Sequence, residues 1–289
     1  MPKRKLFRLR LRSGALRLGE RTLVMGVLNV TPDSFSDGGR FFTPKLAVQR
    51  ALQMQRDGAD VLDIGAESTR PGSESITAAE EIARLLPVLE VLRGKLKIPI
   101  SVDTQKSAVA EIALGAGAHM INDVSGLRSD PRLAQVAARF NAPIVLMHMR
   151  GSPRTMQKGP FARDVIKDVK AGLRRSVAIA RRAGVANSQI VLDPGIGFGK
   201  SFSQNYELLA KLPELVKLGF PLLVGTSRKG FLGATLDKNG KPTPPGGRLW
   251  ATAATVTASI LNGAHIVRVH DVAEMSQVAR VTDELLKHH

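Results

Sequence analysis

Residues 61–104, VLDIGAESTRPGSESITAAEEIARLLPVLEVLRGKLKIPISVDT, contain one complete folding unit. A short apolar run, VLDIG, ends in polar residues and opens into a stretch rich in Ser, Gly and Pro. AAEEIARLLPVLEVLRGKL then spaces its apolar residues three and four apart, the period of a helix with one buried face. PISVDT starts a second apolar run that again ends on an acid. A near-continuous apolar strand followed by a helix and another such strand describes parallel strands covered on both sides.

The pattern repeats outward in both directions. Strands are predicted at TLVMGVLNV, VLDIGAES, PISVDT, HMINDVSG, PIVLMHMRG, IVLDPGIGFG, PLLVGTSRKG and IVRVHDV. Helical segments such as LAVQRALQMQRDGA, SAVAEIALGAGA and RDVIKDVKAGLRRSVAIARRAG lie between them, with glycines near their ends. Eight such units favour a (β/α)₈ TIM barrel over a doubly wound sheet, and 289 residues with 43% hydrophobic content suit one barrel domain spanning residues 1–289.

Ahead of the first unit, residues 1–21 are rich in arginine and poor in acid. Leu9 and Leu11 alternate with Arg8, Arg10 and Arg12, and Ser13-Gly14 separates them from Leu16 and Leu18. A period of two around a turn predicts a β-hairpin with its arginines toward solvent, not an organelle-targeting helix. Another Gly/Pro/Lys-rich stretch, KNGKPTPPGGR at 238–248, reads as a surface loop.

Composition narrows the function. The chain has no cysteine, which rules out disulfides, thiolate metal sites and cysteine nucleophiles and fits a reducing cytoplasm. No apolar run approaches a membrane span, and no secretion signal is visible, so a soluble protein with no membrane partner is expected. The net charge of +17 raises the question of nucleic acid. Aromatics make up only 4% of the chain, with one Trp and one Tyr, so base-stacking platforms are scarce and no nucleic-acid partner is expected. Anionic small substrates remain the better explanation.

Barrel active sites gather at the C-terminal ends of the strands. Here those ends carry Asn29, Asp63, Glu67, Asp103, Asn122, Asp123, His148, Asp193, Ser227, Arg228, Lys229, Arg268, His270 and Asp271. Any one of them could cap a helix or hold a loop. Convergence of many would form a concave site with both carboxylates and cations, suited to a polar heterocycle joined to an anion. GIGFG lacks the spacing and downstream acid of a dinucleotide fingerprint.

In order along the chain, LNVTPDSFSDGG, DIGAESTRPGS, SVDT, INDVSG, LMHMRG, LDPGIGFGK, VGTSRKGFLG and IVRVHDV resemble the motifs of the dihydropteroate synthase family, over roughly residues 22 to 285. That resemblance implies a transferase that joins 6-hydroxymethyl-7,8-dihydropterin diphosphate to 4-aminobenzoate and releases pyrophosphate on the route to folate. It also implies a sulfonamide target, a Mg²⁺ cofactor met by Asn29, and a homodimer. Asp103, Asn122, Asp193, Lys229 and Arg268 match the pterin contacts, and Met147, Phe198 and Gly225 match the pocket walls. Thr69, Arg70, Ser227, Arg268 and His270 would hold the diphosphate, with Phe35 and Pro71 as walls of the aminobenzoate site on two closing loops. Asp103, Lys229, Arg268 and His270 are the expected catalytic groups. Direct displacement and prior loss of pyrophosphate are both open chemically, and the resemblance favours the second. Lys200 and His148 are expected to be supporting residues.

Overall fold

The computed structural model describes residues 4–12, 14–31, 44–68, 73–152, 155–156 and 159–288. The chain begins with an antiparallel hairpin, β1 (Phe7–Leu11) and β2 (Gly14–Leu18). Eight strands then alternate with helices: β3 (Leu23–Asn29), α1 (Pro44–Arg56), β4 (Val61–Gly65), α2 (Ala78–Leu92), β5 (Ile100–Asp103), α3 (Ser107–Gly115), β6 (Met120–Asp123) and α4 (Arg132–Arg139). They continue through β7 (Ile144–Met147), α5 (Val165–Arg182), β8 (Ile190–Asp193), α6 (Phe202–Ala210), α7 (Leu212–Val216), β9 (Leu223–Val224), α8 (Gly230–Thr235), α9 (Leu249–Leu261), β10 (Ile266–Val269) and α10 (Val272–Lys287). The eight-stranded sheet runs β8-β7-β6-β5-β4-β3-β10-β9, with every named pairing parallel. A parallel bridge between Leu192 and Leu222 joins the two ends and closes the barrel. The predicted fold is the observed one.

Alternation along each strand divides the core in two. Val24, Leu62, Ile121, Leu146, Leu192 and Val267 face outward and pack with the helices in one continuous apolar layer. Met25, Val61, Met120, Val145, Val191, Leu223 and Ile266 face inward and pack with each other. Moving two residues along a strand keeps a side chain on the same face, so the next inward layer is Val27, Asp63, Asn122, Met147, Asp193, Gly225 and Arg268. The barrel interior therefore changes from apolar to polar within one step of the pleat.

The hairpin closes the apolar end. Leu9 and Leu18 are buried against the inward layer, with Phe7 and Leu16 packed beside them. Arg8, Arg10, Arg12 and Arg17 point to solvent, as the period of two requires. Gln189 stitches the hairpin to the barrel by accepting from Arg10 N–H at 3.0 Å and donating to the Arg10 carbonyl at 2.9 Å. The 238–248 stretch is largely exposed, and Arg248 ties its end down by donating to the carbonyls of Thr243 and Arg228, each at 2.7 Å.

Leu18→Ala should open a cavity under the plug and lower the unfolding free energy by about 2 to 5 kcal/mol. Arg8→Gln, on the solvent face of the same hairpin, should change it by less than about 0.5 kcal/mol. Urea denaturation of the two variants checks the assignment of the hairpin as a stabilising plug.

Candidate active site

The polar layer at the barrel mouth is organised by Arg268. It reaches across from β10, donating through Nε to Asp63 Oδ2 at 2.7 Å and through Nη2 to Asp103 Oδ2 at 2.9 Å. Asp63 is fully buried and also accepts from Asn122 Nδ2 at 2.9 Å. Because the Asn122 amide donates to Asp63, its Oδ1 faces the other way. That oxygen and Asp63 Oδ1 are buried without a hydrogen-bond partner among the described residues. Buried acceptors left open in this way suit the N–H groups of a ligand. Burial pushes the Asp103 carboxyl above its ordinary range, with Arg268 opposing and Asp63 reinforcing the shift. Burial also works against the Arg268 cation, but Asp63 and Asp103 outweigh it and hold the guanidinium above its ordinary value.

A second charged pair lies across the mouth. Burial pushes Asp193 up to about 6, against the Gly195 N–H that donates to Oδ1 at 2.6 Å and the nearby charge of Lys229. Burial lowers Lys229 to about 8; Arg268 adds to the shift, and Asp193 and Asp103 oppose it. The Lys229 ammonium sits 4.0 Å from the centroid of the Phe198 ring, a cation held on an aromatic face. Gly197 makes room for it: φ is +84°, and a Cβ there would lie 3.1 Å from Lys229 Cδ.

Beside this pair, Ser227 and His270 form a hydroxyl-imidazole unit. The His270 backbone N–H donates to Ser227 Oγ at 3.1 Å, and Nδ1 lies 3.0 Å from the same oxygen. Burial, helped by Arg268, lowers His270 to about 3, so the ring is neutral near pH 7. A neutral ring accepting the serine proton at Nδ1 carries its own proton on Nε2. The mouth thus combines carboxylate and amide acceptors, two cations and a neutral imidazole donor. It can hold a flat heterocycle by its edge and an anion beside it.

Comparison with known proteins agrees with this chemistry. The sequence model of a family described as pterin binding enzyme matches residues 25–270. Over 267 residues the chain is 50% identical to dihydropteroate synthase of Synechocystis sp., covering 92% of this chain and 91% of that protein. It is 47% identical over 272 residues to the Bacillus subtilis dihydropteroate synthase, covering 94% and 91%. Among solved structures, Yersinia pestis dihydropteroate synthase with a sulfonamide drug superposes at a TM-score of 0.90 with 40% identity, covering 98% of this chain and 100% of that one. The chain belongs to the dihydropteroate synthase family.

Of the residues the family resemblance singled out, Asp103, Asn122, Asp193, Lys229 and Arg268 lie together in the mouth, with Ser227 and His270 beside them. Asn29 ends β3 next to Gly65 and makes no side-chain hydrogen bond among the described residues. Met147 and Phe198 belong to a small cluster with Val124, Met149 and Met156 that is separate from both barrel layers. Gly225 lies opposite Arg268, where an added Cβ would meet Arg268 Cβ at an ordinary 3.7 Å. Phe35, Thr69, Arg70 and Pro71 fall outside the described residues.

Other strand-end polar groups turn to local work. Glu67 pairs with Lys106, which also pairs with the buried Glu81. Asp123 accepts from the N–H groups of Ser125 at 2.8 Å and Leu127 at 2.6 Å, fixing the loop after β6. Asp271 is paired with Arg228. His148 accepts from the fully buried Lys200, whose ammonium also donates to the carbonyls of His148 and Phe198. Asp63, which the sequence offers only as one of many polar strand ends, accepts from both Arg268 and Asn122. Its signal was present, since a charge inside the otherwise apolar VLDIG run demands a buried partner of opposite sign.

Asp193 tests the electrostatics. Its folded value of about 6 exceeds the ordinary 3.8, so the ligand-free fold binds this proton more tightly than the unfolded chain does. Stability is therefore lost as pH rises from about 4 to about 6, and the full cost remains above that window. Asp193→Asn keeps an acceptor for Gly195 N–H and removes the charge. Thermal melts of the ligand-free variant should show a higher midpoint than wild type at pH 7.5, with the gain fading as pH falls to about 4.

Proposed function

We propose that this chain condenses 6-hydroxymethyl-7,8-dihydropterin diphosphate with 4-aminobenzoate to give 7,8-dihydropteroate and pyrophosphate, a step of folate biosynthesis. The observation that carries this reading is the pairing of open buried acceptors, Asn122 Oδ1 and Asp63 Oδ1, with the ionisable Asp193 and Lys229 around one apolar wall. Relatives support it: a Clostridium difficile dihydropteroate synthase was crystallised in the presence of pteroic acid, and the Xanthomonas albilineans enzyme with 4-aminobenzoic acid. At 46% and 40% identity, these match the present chain over 93% and 98% of its length.

In this reading the amino-pyrimidinone edge of the pterin donates two N–H groups to the Asp193 carboxylate, and Asn122 Oδ1 accepts a third hydrogen bond. Lys229 donates to the ring from its place over Phe198, and Met147 and Phe198 flank the flat face. Arg268, Ser227 and the Nε2–H of His270 face the diphosphate, joined by Thr69 and Arg70; Phe35 and Pro71 wall the aminobenzoate. Asn29 offers one amide oxygen for Mg²⁺. A single amide ligand suits an ion that keeps most of its waters and binds through substrate phosphates. When bound, such an ion would neutralise diphosphate charge.

The reaction breaks the methylene carbon to oxygen bond, whose electron pair leaves on pyrophosphate, and forms a carbon to nitrogen bond from the amine lone pair. The proton lost by the amine passes to solvent. On the dissociative route the positive charge is shared with the pterin ring before the amine attacks. Asp103 faces that ring with a carboxylate fixed by Arg268, so placed charge does more of the catalysis than proton transfer. We assign the chain to the cytoplasm, which its lack of cysteine suits, and to a homodimer. Exposed Phe202 and Tyr206 on α6, Leu236 just after α8 and Trp250 on α9 supply apolar surface for the second copy.

Formation of dihydropteroate from the two substrates and magnesium is the direct test, and absence of product with a folded chain would reject the assignment. Asp193→Asn should weaken dihydropterin binding by about 1.5 to 3 kcal/mol in calorimetry. Wild-type affinity should also fall as pH drops through about 6, as the carboxylate takes up its proton. Positional isotope exchange within labelled diphosphate, measured without aminobenzoate, should proceed at a rate competent for turnover. No exchange would favour direct displacement.

A further inference from the structure

The proposed reaction accounts for the cations at the barrel mouth but not for a second group on its shoulder. A cleft of about 290 Å³ lies between the segments following β6 and β7 and one face of α5. Three guanidinium groups line it: Arg128 after β6, Arg150 after β7 and Arg175 on α5. Asp168 is its one carboxylate. Asp168 is already engaged, with Arg150 Nη1 at 3.3 Å from Oδ1 and His148 Nε2 at 3.5 Å from Oδ2. Arg128 donates through Nε to the Ser125 carbonyl at 3.0 Å and through Nη2 to the Gly151 carbonyl at 3.5 Å, which leaves its remaining N–H groups for another acceptor. Arg175 makes no hydrogen bond or ion pair with the described residues. The lining therefore carries two cations more than anions.

The floor of the cleft is built rather than incidental. The His148 ring rests against α5 where Gly172 leaves room, since a Cβ there would lie 2.4 Å from the ring. Gly126, at φ +60°, lets the β6 loop approach the Met147 carbonyl, which an added Cβ would meet at 2.5 Å. Behind the ring the Lys200 ammonium lies 3.1 Å from Nδ1. Burial first, then Lys200, Arg128, Arg175 and Arg150, push His148 down to about 2, so the ring is neutral and has a proton on Nε2. Three guanidinium groups, and a lysine that burial lowers to about 7, thus act on one buried ring, with a single carboxylate in the cleft lining. Such a concentration of positive charge in a concave site favours a multivalent anion.

We propose that this shoulder cleft binds a compact phosphate-class anion, inorganic phosphate or pyrophosphate, at a site separate from the barrel mouth. Arg128 and Arg175 would grip its oxygens in the paired geometry that guanidinium groups offer, with Arg150 adding a third donor. Met147 lines the cleft and also packs with Phe198, so an occupant would touch the back of the wall assigned to the pterin.

Calorimetry on the full chain at low salt and without magnesium, with inorganic phosphate and with pyrophosphate in separate arms, tests the proposal. For at least one anion the wild type should show two classes of site, one of them in the mouth. Arg128→Gln/Arg175→Gln should weaken the other class by at least about tenfold, while Arg128→Lys/Arg175→Lys should retain part of it. The arm that responds identifies the anion. Both variants should melt like wild type and form dihydropteroate at a rate within about twofold of it, because neither residue faces the mouth. A single class of site for both anions, or a second class unchanged in a folded glutamine variant, would overturn the proposal.

Discussion

A guanidinium group shared between two carboxylates sets the geometry of the barrel mouth. Arg268 projects inward from a strand whose neighbours are apolar, so its charge is tolerable only if partners meet it there. Asp63 and Asp103 do so from two adjacent strands. The consequence spreads beyond the ion pairs. Asp63 Oδ2 accepts from both Arg268 and Asn122, which fixes the Asn122 amide with its nitrogen inward and its oxygen toward the site. Through its other oxygen, Asp63 thus decides whether its neighbour acts as donor or acceptor. Removing Asp63 would leave Arg268 with Asp103 alone and free an amide to flip.

This arrangement costs stability, and the cost is concentrated where ligands are to bind. Burial raises Asp193 and lowers Lys229, so the two charges that should grip the pterin are held unfavourably while the pocket is empty. A ligand that hydrogen-bonds to both replaces the lost solvation, and affinity is drawn from the strain of the empty site. The offset lies elsewhere in the fold. The inner apolar layer, the outer helix layer and the buried leucines of the hairpin plug occupy the rest of the barrel as apolar clusters. Stability is built at the N-terminal end and chemistry at the C-terminal end, the division expected of this architecture.

The repeating strand and helix units were legible because parallel strands covered on both faces need continuous apolar runs, and amphipathic helices need apolar spacing of three and four. The hairpin was legible as a hairpin, but its task was not: a period of two says that one face is apolar and not what will cover it. Leu9 and Leu18 acquire their meaning only from Met25, Val61 and Ile266 at the barrel floor. Within the site, Asp103, Asn122, Asp193, Lys229 and Arg268 were visible from motif likeness. Glu67, Asp123 and Asp271 looked equivalent to them at strand ends and turned out to brace loops and helices. Which partner a polar side chain finds depends on neighbours far away in sequence. Lys106, for instance, lies 39 residues from Glu67.

Much of that distinction reduces to the pleat. INDVSG contains Asn122 and Asp123 side by side, and alternation sends them to opposite faces. Counting by two from the inward Met120 puts Asn122 into the barrel, where it meets Asp63. Asp123 falls on the other face and ties down the loop after β6. The same count from Val145 puts Met147 inward and leaves His148 to pack against Gly172 of α5. From Val191 it reaches Asp193, and from Ile266 it reaches Arg268 and then His270. A one-residue slip in any of these strands would exchange a ligand-facing group for a structural one. The apolar floor under the hairpin therefore does more than stabilise the barrel. By fixing which residues face inward at one end, it fixes which charges face the substrate at the other.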